Sequence, residues 1–112
     1  MPSREIQPAA WYALSGKWPD VEFAPDAPVE AVVARAVSKR LRDALAEKGW
    51  SARELARRAD VGHATVNRLV AGEKSADMVT ITRLEVALSL DLYPAGLWAQ
   101  LAELSSGSSA AG

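Results

Sequence analysis

The sequence predicts an all-α protein, in which a five-helix bundle follows a non-helical N-terminal extension rich in aromatic residues and proline. Three observations predict this fold. From residue 27 onward, apolar residues recur at spacings of three and four, the period of a helix that packs on one side. Cap residues and short connections separate five such runs, and no convincing pair of strands follows residue 26. With 112 residues, 49% of them hydrophobic, the chain suits one small domain rather than two.

Composition divides the chain into three zones. Residues 1–26 hold four of the seven aromatic residues among four prolines, which forbids a long helix. They form either a short hairpin about Ser15 and Gly16 or an extended arm whose aromatic residues dock on the helical body. Residues 27–104 form the helical domain. From Ser105 the sequence SSGSSAAG offers nothing to bury and predicts a disordered tail.

The first predicted helix is the longest. Its apolar positions are Val29, Val32, Val33, Ala36, Val37, Leu41, Ala44 and Leu45, and Lys48-Gly49 ends it. The three valines at its beginning need a cover. We expect Trp11, Trp18 or Phe23 to supply that cover, within one chain or across a dimer.

The second and third predicted helices are short and close together. Ser51 is a good N-cap for the second helix, and Asp60 is the turn residue after it. The third helix begins near Gly62 or His63 and ends at Ala71-Gly72. The residues expected to face inward are Leu55, Ala56 and Ala59 in the second helix and Val66, Leu69 and Val70 in the third.

Two further helices complete the predicted bundle. Asp77 can cap the fourth helix and Asp91 the fifth. The expected apolar face of the fourth helix is Ile81, Leu84, Ala87 and Leu88, and that of the fifth is Leu97, Trp98, Leu101 and Leu104.

Charge is segregated along the chain, although the net charge is only −1. Residues 35–74 carry ten basic side chains against five acidic ones. Residues 1–34 carry two basic against five acidic, and residues 75–112 carry one basic against four acidic. Attraction to phosphate is local and is screened beyond about 10 Å, so a basic middle segment can serve a nucleic-acid surface. A solvated helix surface is the alternative interpretation.

The residue inventory excludes several kinds of chemistry. The absence of cysteine removes disulfides, thiolate metal sites and cysteine nucleophiles. The single histidine, His63, lacks a second histidine for a metal and the partners of a catalytic triad, so neither an enzyme nor a cofactor is expected. Neither a membrane-spanning stretch nor a signal peptide is visible, which favours a cytoplasmic, nucleoid-associated protein.

The most informative segment is SARELARRADVGHATVNRLVAG, residues 51–72. Its two short helices are joined by a turn too brief for an ordinary helical hairpin, so they must cross steeply. Ala56 is the small residue that such a crossing needs, and Asp60 tolerates the unusual backbone of the turn. The apolar anchors are Leu55, Ala59, Val61, Val66 and Leu69. This is a helix-turn-helix pattern, whose second helix enters the major groove of DNA.

The chain resembles the phage repressor and Cro-like, or xenobiotic-response-element (XRE), helix-turn-helix regulators over about residues 38–97. The resemblance is carried by SKRLRDALAEKGWSARELARRADVGHATVNRLVAG and by TITRLEVALSLDLYPAGL. It implies a lambda-repressor-like bundle and a sequence-specific regulator of transcription, a repressor, that binds double-stranded DNA. One recognition helix covers only part of a groove, so we expect a homodimer on two half-sites.

Five residues depart from the pattern of the family. Asp60 stands where glycine is usual in the turn, and it can adopt a left-handed backbone at modest cost. Ala52 stands where many members have a glutamine that bonds phosphate, so other groups of the second helix must compensate. Leu45 and Val70 replace an arginine and glutamate pair of some phage members, a change that can be neutral or stabilising. Ser89 replaces the usual glycine after the fourth helix.

By position, the resemblance implies which side chains face DNA. The residues facing base edges are His63, Ala64, Asn67 and Arg68. Arginine can reach two guanine acceptors, and asparagine can form two bonds to adenine. The candidates for phosphate contact are Ser51, Arg53, Arg57, Arg58, Thr65 and Lys74.

A protein-interaction module of the same fold, such as the antitoxin of a toxin–antitoxin pair, is the alternative function. Residues 1–30 and the fifth helix would then form the surface for the protein partner. The two functions can coexist in one chain, because many members of the family bind DNA while they hold a partner.

Overall fold

The computed structural model of the protein describes residues 7–74 and 76–110. Its elements are a 3₁₀ turn (Ala9–Tyr12), strands β1 (Ala13–Lys17) and β2 (Asp20–Phe23), and helices α1 (Val29–Lys48), α2 (Ala52–Ala59), α3 (His63–Val70), α4 (Met78–Leu88) and α5 (Leu97–Ala110). The five predicted helices are present. The small sheet and the 3₁₀ turn mean that "all-α" and "non-helical extension" are only approximate. None of the described helices is long and apolar enough to cross a bilayer.

Parts of three predictions lie outside the described residues. These are residues 1–6 of the N-terminal extension, the last two residues of the C-terminal tail, and the side chain of Leu104 on the predicted stripe of the fifth helix.

The hydrophobic core lies between α1, α2, α3 and α4. Its buried members are Val37, Leu41, Ala44, Leu55, Ala56, Ala59, Val66, Leu69, Leu84, Leu88 and Leu92. Ten of them are on predicted helix faces, and Leu92 comes from the loop after α4. Burial of one such leucine stabilises the fold by about 1.5–3 kcal/mol, so the crossing of α2 and α3 rests on a well-filled core.

The predicted N-caps of α2 and α4 are present. Ser51 Oγ accepts a hydrogen bond from the Glu54 amide at 3.1 Å, and Asp77 Oδ1 accepts one from the Thr80 amide at 2.7 Å. The bond from the Thr80 amide also lowers the pKa of Asp77. Asp60 and Ser89 both adopt a left-handed backbone, each with φ of 56°. Both positions where the family usually has glycine therefore keep their turns.

The predicted start of the fifth helix at Asp91 is wrong. Helix α5 begins at Leu97, and residues 89–96 form a loop. Pro94 disfavours a helical backbone at the preceding residue, and Gly96 has φ of 82°, so the helix cannot begin earlier. The amides of Leu92 and Tyr93 instead donate to Glu85 Oε2 at 2.9 and 3.2 Å, which ties the loop to α4.

The predicted disordered tail also differs from the structure, because α5 continues through residues 105–110. Once a helix has formed, each added residue contributes one hydrogen bond, so small polar residues can extend it.

Of the two predicted forms of the N-terminal extension, the structure has the hairpin. The register pairs Gly16 with Val21 and Lys17 with Asp20, so the turn is Trp18-Pro19, joined by a cis peptide bond. The predicted turn at Ser15 and Gly16 is therefore wrong. Gly16 lies within β1 with φ of 93°, and a side chain there would collide with the backbone of Asp20.

The predicted aromatic cover over the start of α1 is present only in part. Phe23 lines a cleft together with Val32, but Val29 remains 54% exposed and Trp11 is 66% exposed. Trp18 lies farther along α1, where its indole N–H finds hydrogen-bond acceptors that the valines cannot offer.

Candidate nucleic-acid interface

The crossing of α2 and α3 is fixed by the three residues between them, 60–62. The left-handed backbone of Asp60 reverses the chain, and the Val61 amide donates to the carbonyl of Ala56 at 3.0 Å. Ala56 is buried, as the steep crossing requires. Arg83 of α4 donates to the carbonyl of Asp60 at 3.1 Å, which holds the turn against the next helix.

Helix α3 brings the four residues predicted to face base edges onto one side. Ala64, Asn67 and Arg68 are exposed, and His63 is partly exposed. The opposite side of the helix is buried in the core through Val66 and Leu69. This arrangement presents an amide, a guanidinium and a methyl group together on a helix that its core residues hold in place.

The side chains of His63 and Asn67 form a hydrogen bond one helical turn apart. Asn67 Nδ2 lies 3.0 Å from His63 Nε2. An amide nitrogen can only donate, so one N–H of Asn67 is directed at the imidazole of His63. The second N–H of Asn67 remains available to an acceptor, and its carbonyl oxygen remains available to an adjacent donor. The guanidinium of Arg68 makes no hydrogen bond or ion pair with the residues that the structure describes.

Glu54 of α2 pairs with two of the arginines predicted to contact phosphate. Its carboxylate accepts hydrogen bonds from Arg57 at 2.7 and 3.2 Å and from Arg58 at 2.8 Å. The bonds from Arg57, and next those from Arg58, lower the pKa of Glu54 from its ordinary 4.5 to about 2. Because this carboxylate stays ionised near neutral pH, it offsets part of the positive charge of the two guanidinium groups.

The other predicted phosphate residues have different surroundings. The guanidinium of Arg58 also stacks on the Trp50 ring at 4.2 Å. Arg53 is exposed, and its guanidinium has no hydrogen-bond or ion-pair partner in the described part of the chain. The Ser51 hydroxyl caps α2 as an acceptor and keeps its own proton to donate. Thr65 is partly exposed on α3. Lys74 is exposed beside α1, where it borders a cavity of about 330 Å³.

The C-terminal end of α3 has a partner that sequence reasoning missed. Trp18 Nε1 lies 2.8 Å from Ser38 Oγ and 3.0 Å from the carbonyl oxygen of Val70, the last residue of α3. A side chain at Gly72 would collide with the Trp18 ring. One signal was available: Ser38 is a polar residue on the apolar side of α1, and a buried hydroxyl needs a hydrogen-bond partner.

This architecture defines the helix-turn-helix class of DNA-binding domains. Residues 41–93 match the family model described as helix-turn-helix, a stretch that takes in the second part of α1 and all of α2, α3 and α4. The match supports the predicted XRE family, and this stretch of the chain is a helix-turn-helix domain of the kind that binds DNA. No curated protein and no solved structure matches the chain.

Proposed function

We propose that this chain is a sequence-specific regulator of transcription, a repressor, that inserts α3 into the major groove of double-stranded DNA. One observation carries the proposal: α3 presents Asn67, Arg68 and Ala64 on one exposed side while its core residues fix its orientation. The major groove, about 12 Å wide, admits a helix with its side chains. The protein acts on the nucleoid, in the cytoplasm.

Within this proposal, base edges are contacted from the exposed side of α3. Arg68 bonds the O6 and N7 acceptors of a guanine, and Asn67 bonds the N6 donor and N7 acceptor of an adenine. The bond to His63 supports the second contact, because it leaves one N–H and the carbonyl oxygen of Asn67 for the adenine. Ala64 contacts a thymine methyl group, and His63 lies at the groove edge.

Phosphate contacts come from the residues around α2 and from the two ends of α3. We propose Ser51, Arg53, Arg57, Arg58, Thr65 and Lys74 for this role. Arg53 is the best supported, because no described residue occupies its guanidinium. Arg57 and Arg58 can contact phosphate while they keep part of their pairing with Glu54, since each guanidinium has five N–H donors.

A homodimer is part of the same proposal. Two copies related by a two-fold axis would place their α3 helices in successive major grooves, about one turn of DNA apart. The surface proposed for the dimer is the exposed groove between α1 and α5, which includes Val29, Leu97 and Trp98. Trp98 is 76% exposed. Exposure of so large an apolar side chain to water is unfavourable in a monomer and is relieved when a second copy covers it.

Selection of bound sequences from random duplexes tests the proposal. We expect enrichment of a two-fold-symmetric site, and an affinity for the selected duplex about 10³-fold or more above that for a random duplex at physiological salt. If no site is enriched and the protein is retained equally on duplexes of every sequence, the proposal is contradicted. Val66→Ala and Leu69→Ala variants are the folding controls.

The alternative, a protein-interaction module such as an antitoxin, is favoured by the same α1–α5 groove. Its volume is about 320 Å³, and Tyr93, Leu97, Trp98 and Leu101 are among its lining residues. Co-purification of a small protein in equimolar amount, abolished by Trp98→Glu, supports this function. If the purified complex also binds the selected duplex, the chain has both functions.

A further inference from the structure

The N-terminal hairpin is joined to the last residue of α3 by a compact set of hydrogen bonds. Trp18 Nε1 points to both Ser38 Oγ and the Val70 carbonyl oxygen, at 2.8 and 3.0 Å. Ser38 Oγ in turn donates to the same carbonyl. Ser38 is fully buried, so its hydroxyl has no water to replace a lost partner.

The Val70 carbonyl is one of the four at the end of a helix that the helix itself cannot satisfy. Two donors from outside the helix satisfy it here, one from α1 and one from the hairpin. The Trp18 ring also lies against Gly72, which has φ of 72°. The end of α3 is therefore held in direction as well as in position.

The hairpin that carries Trp18 is itself attached to α1 at two further points. Arg35 donates to the carbonyl of Val21 at 2.9 Å, and its guanidinium lies 4.4 Å from the centre of the Phe23 ring. Arg42 pairs with Asp20 at 2.6 Å on the strand that follows the turn. Trp18 thus extends from a fixed support rather than from a loose arm.

Helix α3 has only eight residues, and Asn67 and Arg68 lie within one turn of Val70. A change in the direction of its C-terminal end would therefore move both side chains relative to base edges. Hydrogen bonds to bases depend steeply on distance and angle, whereas attraction between a cation and a phosphate does not. Loss of the hairpin contact should lower affinity for one sequence and not for DNA in general.

We propose that Trp18 is a positioning residue for DNA recognition, which fixes α3 through Val70 and Ser38. This inference rests on the proposed function of α3. Trp18 touches no base in this account, and its effect passes through the direction of the helix. The hairpin thereby becomes part of the sequence-reading unit, although it lies outside the matched residues 41–93.

The test compares three variants of the full chain with the parent. Trp18→Phe keeps an aromatic ring and removes the indole N–H, and Ser38→Ala removes the hydroxyl between Trp18 and Val70. Trp11→Phe is the matched control, because Trp11 belongs to the same extension and is largely exposed. Affinities for the selected and the random duplex are measured against salt, well below the melting temperature of each variant.

Trp18→Phe and Ser38→Ala should each bind the selected duplex about two- to thirty-fold more weakly, the range typical of changes in a coupling network. Their affinity for the random duplex and its salt slope should equal those of the parent and of Trp11→Phe. In NMR spectra, the backbone amide resonances of Ala71 and Gly72 should shift in both variants and should not shift in the Trp11→Phe control.

Two results overturn this inference and leave the proposed function intact. If both variants melt at a lower temperature and yet bind the selected duplex as the parent does, Trp18 has only a structural role. If both duplexes lose affinity equally, the hairpin does not act through base recognition. A parent protein that prefers no duplex overturns the proposed function, and this inference with it.

Discussion

Asn67 Nδ2 lies 3.0 Å from His63 Nε2 on the exposed side of α3, so the histidine fixes which edge of the amide is presented. The amide then offers one donor and one acceptor side by side, the pattern that matches adenine. Under the proposed function, the two residues therefore act as one unit in base recognition.

Replacement of Asn67 should reduce specific binding alone. Asn67→Ala is expected to cost about 1–3 kcal/mol on the selected duplex, because both bonds to the base are lost, and to leave weak binding to random DNA nearly intact. His63→Ala should show the same selectivity with a smaller loss, since the amide remains but is no longer oriented. Fluorescence anisotropy on the two duplexes measures both effects. If both variants bind the selected duplex as tightly as the parent does, this pair is not part of the interface.

Replacement of Arg53 should instead weaken binding to every sequence. Each lost phosphate contact lowers the slope of log affinity against log salt by about one unit. Arg40→Ala is the matched control, because Arg40 is an exposed arginine whose guanidinium donates to the carbonyl of Asp91, before α5. An Arg53→Ala protein with the parental salt slope would show that Arg53 does not contact phosphate.

Neutralising Glu54 should increase non-specific affinity. Glu54→Gln removes the carboxylate that pairs with Arg57 and Arg58, so both guanidinium groups become more available to phosphate. We expect tighter binding to random duplex and a steeper salt slope. A variant that binds random duplex more weakly would mean that Glu54 is needed to hold the arginines in place.

The same carboxylate makes stability depend on pH. The pKa of Glu54 is about 2 in the folded protein and 4.5 is its ordinary value, so the folded state favours the ionised form. Its contribution is present above pH 4.5 and is lost as the pH falls toward 2. The melting temperature of Glu54→Gln should therefore fall less between pH 5 and pH 2 than that of the parent. Identical pH profiles would contradict the pairing.

Removal of the hairpin should destabilise the whole domain. Deletion of residues 1–25 exposes Ser38 and removes one of the two donors to the Val70 carbonyl, so we expect the melting temperature to fall by several degrees. Trp11→Ala should change it little, because that ring is largely exposed. An unchanged melt after the deletion would show that the hairpin is an appendage.

Much of this fold could be predicted because its signals are local. Asp60 and Ser89 stand at the ends of apolar helical runs, and both adopt the left-handed backbone that a helix end uses. The resemblance to the family predicted that Ala64, Asn67 and Arg68 share one side of α3, and all three are exposed there. The pairing of Glu54 with Arg57 and Arg58 was also within reach, since spacings of three and four bring charges together on a helix.

The remaining features depend on contacts between distant residues. Trp18 and Val70 are 52 residues apart, and their contact requires both the turn at Pro19 and the approach of α3 to α1. The hairpin turn was predicted three residues too early, because the pair Ser15-Gly16 suggests a turn by itself, whereas Gly16 lies within β1 and the turn is Trp18-Pro19. No local pattern distinguishes these arrangements.

Chemical protection of guanine N7 tests the central claim most directly, because this atom lies in the major groove. On the selected duplex, the parent should protect guanines from methylation in two clusters about 10 base pairs apart, one for each α3 helix of a dimer. Arg68→Ala, folded and bound at higher concentration, should lose the protection of one guanine in each cluster and keep the rest. A bound parent that leaves every N7 reactive, or an Arg68→Ala protein with the parental protection pattern, would contradict insertion of α3 into the major groove.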